Sequence, residues 1–243
     1  MIGGPIAAAI LNHYKWHDIE APENYIAGEK LESLFGPSFW ENIRGKTVID
    51  FGSGHGNEAL EIAAHGAKKV IGLETLDRWL AIARQNLLRS GLKNCEFVKH
   101  TDATADVILS VDSFEHFDRP DEVLIEIARL LSPDGQVIVS FGPPWYHPRG
   151  GHMPLFPWAH LVFTEYALMK WRSKYKTDGA VRFREVDGGL NQMSIGKFER
   201  LVSTSPLRIA SLDPCPIQAV RMFHSRMTRE FFTSVVKARL VHR

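Results

Sequence analysis

Thr47-Val48-Ile49-Asp50-Phe51-Gly52-Ser53-Gly54-His55-Gly56, with Glu74 ending the next apolar run, is the stretch that decides the fold. Residues 48–51 read as a short buried strand, mostly β-branched or aromatic, with a turn cluster directly behind. Glycines at every second position let the backbone reverse tightly and approach a ligand with no Cβ in the way. Helical spacing restarts over 57–65, so the first N–H groups of that helix point at whatever sits on the glycines. Residues 69–74 form a second buried strand ending in Glu74. A carboxylate about 20 residues past a glycine turn is where doubly wound folds hydrogen-bond ribose hydroxyls.

The spacing here is G-x-G-x-G, preceded by Asp50, rather than the G-x-G-x-x-G of a dinucleotide turn. With an acid closing the second strand, it resembles the first signature of class I S-adenosylmethionine-dependent methyltransferases. The resemblance continues through Asp106-Val107-Ile108-Leu109-Ser110-Val111-Asp112, similar to the family's fourth strand, and Phe114-Glu115-His116-Phe117, similar to the segment that follows it in small-molecule enzymes. Leu130-Leu131-Ser132-Pro133-Asp134-Gly135, running into Gln136-Val137-Ile138-Val139, looks like the turn into the fifth strand. The motifs cover residues 45–142. Each is weak alone; their order and spacing together are specific.

The resemblance implies an α/β fold: a doubly wound seven-stranded sheet, mostly parallel with an antiparallel last strand, and helices on both faces. It implies S-adenosyl-L-methionine as cofactor and S-adenosyl-L-homocysteine as product. Gly52, Ser53, Gly54 and Gly56 would carry the cofactor, and Glu74 its ribose hydroxyls. Asp50 would orient the turn and the amino group of the methionine portion, Leu76 would pack on adenine, and Asp112 would meet the methionine end. Asp102 falls where the family places an acid on the adenine amino group.

At 243 residues the chain suits one domain. We divide it into an N-terminal helical arm (1–44), a cofactor-binding core (45–142), a cap insertion (143–190) and C-terminal strands (191–243). The 29 basic and 28 acidic residues leave a formal charge of +1, so no global field calls for nucleic acid. The arm is locally acidic (Asp18, Glu20, Glu23, Glu29, Glu32), whereas 170–184 and 221–243 are locally basic. Cys95 and Cys215 lack metal or redox spacing, which points to a reducing cytoplasm. The start has an apolar patch but no basic region or cleavage site, and no apolar run reaches the ~18 residues of a membrane span.

Residues 28–43 carry a helical face interrupted near Gly36-Pro37. His13, Tyr14, Trp16, His17 and Tyr25 either line the substrate mouth or pack the arm against the sheet. Residues 76–90 form an amphipathic helix stopped by Gly91, and 95–99 the third strand. Asp102 and Asp106 then lie too close together, since a parallel crossover takes around a dozen residues. Either the third strand ends near Val98 or Asp102 is not at a strand end. A helix over 118–131 leads to a fifth strand at 136–142. Residues 142–189 break into Pro, Trp, His and Gly around a short helix at 164–172, too long for a plain connection and placed to cap the strands. A helix at 196–203 and strands at 207–213 and 233–241 complete the set.

A sulfonium methyl is already activated, so the protein's task is to orient a nucleophile and, for a hydroxyl, to remove its proton. His116, just past the fourth strand with Ser113 and Glu115, is the first candidate base; its alternative role is to bond a neighbouring loop. His147 and His152 in the aromatic cap follow. With His160 they match no zinc spacing, and no metal is expected. Gly142-Pro143-Pro144-Trp145 differs from the grip of DNA- and glutamine-directed amino-methyltransferases: it follows the fifth strand and lacks the leading polar residue. That argues against nucleic acid as partner. A peripheral membrane contact through 158–184 remains open, as does the oligomeric state. The sequence therefore points to methyl transfer to a small-molecule or glycan-type hydroxyl. Its rivals are a methyltransferase of RNA or protein, or a silent cofactor-binding module.

Overall fold

The computed structural model of the chain describes residues 1–17, 30–186 and 188–243. Tyr25, Asp18, Glu20, Glu23 and Glu29 lie outside them. Three helices precede the sheet: α1 (Gly4–Leu11), α2 (Lys30–Phe35) and α3 (Ser38–Ile43). The break between the last two falls at Gly36, whose φ of 80° ends the turn before Pro37. The core then alternates: β1 (Thr47–Phe51), α4 (Asn57–Ala64), β2 (Lys69–Leu73), α5 (Asp77–Ser90), β3 (Cys95–Val98), β4 (Ala105–Val111), α6 (Pro120–Leu130) and β5 (Leu131–Phe141). The cap holds α7 (Ala159–Val162) and α8 (Glu165–Arg172), and the chain closes with α9 (Ile195–Ser203), β6 (Leu207–Pro216), α10 (Arg229–Phe232) and β7 (Thr233–His242).

The strands order as β3-β2-β1-β4-β5-β7-β6. Only β7 runs antiparallel to its neighbours, as expected. The central strands read as unbroken apolar runs because both faces are covered. Alternate side chains divide between two cores. Val48, Val70, Val107 and Leu109 meet α2 to α5 on one face. Ile49, Ile71, Ile108 and Val137 meet α6 and α9 on the other. Chain order reverses between β1 and β4, which opens a crevice at the strands' carboxyl ends.

Three details depart from expectation, and of the two alternatives for the third strand the one that ends it at Val98 holds. β5 begins at Leu131, which pairs with Ala105; residues 132–135 then bulge out before Gln136 rejoins opposite Val107. β6 and β7 extend to Pro216 and His242, and α1 was not foreseen. The crossover from β3 to β4 is short because β3 has only four residues to descend. An extended run over 99–104 reaches roughly 20 Å, enough for a lateral move of ~14 Å across three strand spacings. The run lies on the α6 side, where Ala103 joins the core.

Within the arm, α2 and α3 pack on the sheet, whereas α1 and the aromatic residues after it pack on the cap rather than at the substrate mouth. Tyr14 meets Phe156 at 5.7 Å, Trp16 meets Trp171 at 5.6 Å, and the Trp171 indole N–H donates to the Tyr14 carbonyl. His13 and His17 are exposed. This third apolar cluster holds Ala7, Leu11, Phe163, Leu168 and Phe183. Among the described residues no helix is long and apolar enough to cross a membrane.

Candidate functional site

A cleft of about 1210 Å³ opens at the carboxyl ends of β1, β2 and β4. Its floor is bare main chain. Gly52 and Ser53 donate their amides to the Leu73 carbonyl, both at 3.0 Å, which pins the turn to the end of β2. Gly52 has φ 83°, and a Cβ there would come within 2.9 Å of Ser113, so only glycine lets the loop after β4 approach. Gly54 has φ 50° and open space beside it.

Glu74 stands at the rim, almost fully buried, and lines the cleft. Its carboxylate accepts the Gly54 amide at 3.0 Å and the Leu76 amide at 2.8 Å. Each oxygen keeps a second lone pair, so the carboxylate is oriented yet still able to receive two hydroxyls. Leu76, just ahead of α5, lies beside it and is partly exposed.

Lys30, which sequence reasoning missed, closes the other end of the floor. Its ammonium reaches Glu58 at 2.8 Å and Asp112 at 3.0 Å, and all three line the cleft. Burial works against its charge, but Asp112 and Glu58 outweigh it and hold Lys30 above the ordinary range. Asp112 takes φ 48° as the chain leaves β4. The signal for Lys30 is tertiary: α2 must pack before it meets these acids.

Three expected cofactor residues do not line the cleft. Asp50 is buried beneath the turn and lies close to Glu58, and one of its oxygens has no hydrogen-bond partner among the described residues. Burial first, then Glu58, raises its carboxyl well above the usual range. It therefore lies beneath the turn and not on the wall of the cleft. Gly56 faces away: a Cβ there would fall 2.4 Å from the Phe97 ring, which also fills the side-chain space of Gly72. We expect Gly56→Ala to cost about 3 kcal/mol, from overpacking added to a φ of 82°; a denaturant midpoint unchanged from wild type would refute this packing role. Asp102 is fully exposed and pairs with Arg129 of α6 at 3.1 Å. The diagonal crossover points it off the sheet face, and Lys99, His100 and Thr101 line the cleft instead.

The loop after β4 forms the other wall. His116 lines the cleft, and its Nδ1 lies 2.7 Å from the Gly189 carbonyl. A carbonyl only accepts, so Nδ1 carries the proton and, in the neutral ring, Nε2 holds a lone pair. A Cβ added at Gly188 would lie 3.8 Å from both His116 and Trp79, so the end of the cap passes close to this wall. Asn191 clamps the loop by donating to the Phe114 and Phe117 carbonyls, both at 2.8 Å.

Glu115 lies behind this wall. It is buried, and one oxygen accepts the Gly142 amide at 2.9 Å while the other has no partner among the described residues. Burial, with Asp112 adding, pushes its carboxyl up to about 8. The unfolded chain ionises this group from the ordinary 4.5 while the fold keeps it protonated, so it erodes stability as pH rises from 4.5 through 8. Glu115→Gln should be more stable than wild type by on the order of 2–4 kcal/mol at pH 8 and nearly equal below pH 4.5. Thermal melts across that window check this; a pH-independent difference would contradict it.

The cap histidines separate. His152 sits beside His116 with ring centroids 5.9 Å apart, but its Nε2 is buried with no partner among the described residues, and it does not line the cleft. Burial, then His116, lowers it to about 4. His147 accepts the Arg149 amide at 2.9 Å in a turn of its own and is also lowered to about 4, chiefly by burial. His160 is buried against the Trp145 carbonyl. Neither His147 nor His152 is placed as a base. Among the described residues no cluster of His, Cys, Asp and Glu could hold a metal ion.

The cleft fits an amino-acid-bearing nucleoside: a carboxylate for a diol, bare main chain for close approach, and a lysine beside acids for a zwitterion. Comparison with known proteins agrees. Residues 49–139 match the family described as "Methyltransferase domain". The ubiquinone biosynthesis O-methyltransferase of Sodalis glossinidius is 32% identical over 136 residues, covering 52% of this chain and 53% of that protein. Its namesake in Aliivibrio fischeri is 35% identical over 137 residues, covering 52% and 57%. The chain spans about half the length of these curated relatives. Among solved structures, an S-adenosylmethionine-dependent methyltransferase from Mesorhizobium loti gives a TM-score of 0.56 at 18% identity, over 89% of this chain and 98% of that one. The magnesium protoporphyrin IX methyltransferase of Synechocystis PCC 6803, solved with bound SAH, gives 0.54 at 15%, over 89% and 83%. These two show the fold alone. By its glycine turn and strand order the chain has the seven-stranded α/β methyltransferase fold, and within it residues 49–139 match a methyltransferase domain.

Proposed function

We propose that the protein transfers a methyl group from S-adenosylmethionine to a hydroxyl oxygen of a small-molecule acceptor. The observation that carries this reading is His116, whose Nδ1–H is committed to Gly189 while the ring lines the cleft. That tautomer makes Nε2 a proton acceptor, which an oxygen nucleophile needs and which contributes typically 10²–10⁴-fold. The names of the relatives support oxygen as the attacking atom.

When bound, S-adenosylmethionine supplies an activated sulfonium methyl group. The chain's own residues supply placement. Glu74 receives the ribose hydroxyls, Leu76 covers the adenine, and the main chain at Gly52, Ser53 and Gly54 lies against the amino-acid portion. Lys30 reads its carboxylate and Asp112 its ammonium. His116 takes the acceptor's proton at Nε2, and the cap end at Gly188 and Gly189 limits water. Orienting two bound reactants in this way is worth ~7–11 kcal/mol of barrier. Two free cysteines, one buried, suit a cytoplasmic setting.

The test is acceptor-dependent formation of S-adenosylhomocysteine by the purified protein over a panel of phenols and alcohols. Turnover with a hydroxyl compound, and a product methylated at oxygen, supports the reading. Tight cofactor binding with no turnover on any small molecule would favour the silent module. Turnover only with RNA or protein would favour the macromolecular rival.

A further inference from the structure

The connection from β6 to β7, residues 217–232, ties several of its polar groups within itself or to its neighbours, while Gln218 and Ser225 stay exposed. Thr228 Oγ1 accepts the Ser225 amide at 3.0 Å, and His224 bonds Thr233 at 3.0 Å. Glu230, the segment's one carboxylate, accepts the Ile195 and Gly196 amides at the start of α9 at 3.1 and 2.7 Å. Its large apolar side chains turn outward: Met222 is 86% exposed, Phe223 57% and Met227 92%. The platform beneath them is fastened. The Ile217 amide donates to the Phe232 carbonyl at 2.8 Å, Phe231 meets Tyr146 of the cap at 5.6 Å, and Arg229 pairs with Glu199 at 2.6 Å. Apolar groups held in water by a folded frame mark a surface that something covers.

The charges on this surface identify the occupant. Arg221 and Arg226 are exposed among the three apolar side chains, and the only acid in the segment is engaged inward. Arginine interleaved with Met and Phe, bordered by a tyrosine, is the composition of a lipid–water interface. The apolar groups enter the acyl boundary while the cations meet anionic headgroups. We propose that residues 217–232 dock the protein on an anionic membrane surface through Met222, Phe223 and Met227, with Arg221 and Arg226 on the headgroups.

The experiment is flotation of the full chain with vesicles of phosphatidylcholine alone and of equimolar phosphatidylcholine and phosphatidylglycerol. Wild type should float with the mixed vesicles, less with phosphatidylcholine alone, and less again at high salt. Met222→Ser/Phe223→Ser/Met227→Ser should lower partitioning on the order of 10-fold. Arg221→Gln/Arg226→Gln should remove the dependence on phosphatidylglycerol and gives a second arm should the triple variant fold poorly; melting temperature and cofactor affinity report folding in both. Wild type that stays unfloated with both vesicles overturns the proposal, as does a triple variant that floats like wild type. So does a wild-type dimer in sedimentation that the triple variant makes monomeric while neither floats, since a second copy would then be the cover.

Discussion

Glu74→Ala is expected to weaken S-adenosylmethionine binding by about 30-fold or more, a loss of at least ~2 kcal/mol. The carboxylate is buried at the rim and held by the Gly54 and Leu76 amides. Its remaining lone pairs have one partner of the right shape, a vicinal diol. Charged hydrogen bonds of this kind contribute about 1.5–3 kcal/mol each. Glu74→Gln retains one acceptor oxygen and should lose less. Titration calorimetry separates the variants, and a melting temperature close to wild type shows that the turn survives the lost amide contacts. An affinity unchanged in Glu74→Ala would remove the ribose contact from the reading.

The second large effect falls on turnover. His116→Ala should lower kcat by about 10²- to 10⁴-fold and leave cofactor affinity within about twofold. The ring does not share the cofactor's anchors at Glu74, Lys30 and the glycine turn. A merely structural histidine, tying the loop to Gly189, would slow every acceptor alike. A base would not: the deficit should shrink for more acidic phenols, whose proton leaves with less help. His147→Ala serves as the contrast, because its imidazole caps its own turn outside the cleft. It should keep kcat near wild type. Equal deficits in both variants, or none in His116→Ala, would retire His116.

The parts of this site that could be read in the chain are those whose partners are close by. The glycine turn, the strand before it and Glu74 form one β-α-β unit, and period and spacing suffice to place them. What could not be read depends on distant packing. Gly56 looks like its two neighbours until Phe97, on another strand, is found in the space its Cβ would take. Asp102 looks like a strand-end acid until the short β3 forces a diagonal crossover and Arg129 of α6 captures it. Lys30 carries no motif and gains meaning only when α2 sets it between Glu58 and Asp112. His116 and His152 look alike as candidate bases, but only His116 reaches the cleft, while the Nε2 of His152 is buried away from it. The aromatic arm suited a substrate mouth by composition, yet Tyr14 and Trp16 are used to seat α1 and α8 together.

The cofactor assignment is tested most directly by a crystal structure of the protein grown with S-adenosylhomocysteine. Both ribose hydroxyls should lie on the Glu74 carboxylate, with the amino-acid end between Lys30 and Asp112 over the Gly52–Gly54 main chain. A nucleoside bound elsewhere, or seated here with its ribose turned away from Glu74, would contradict it.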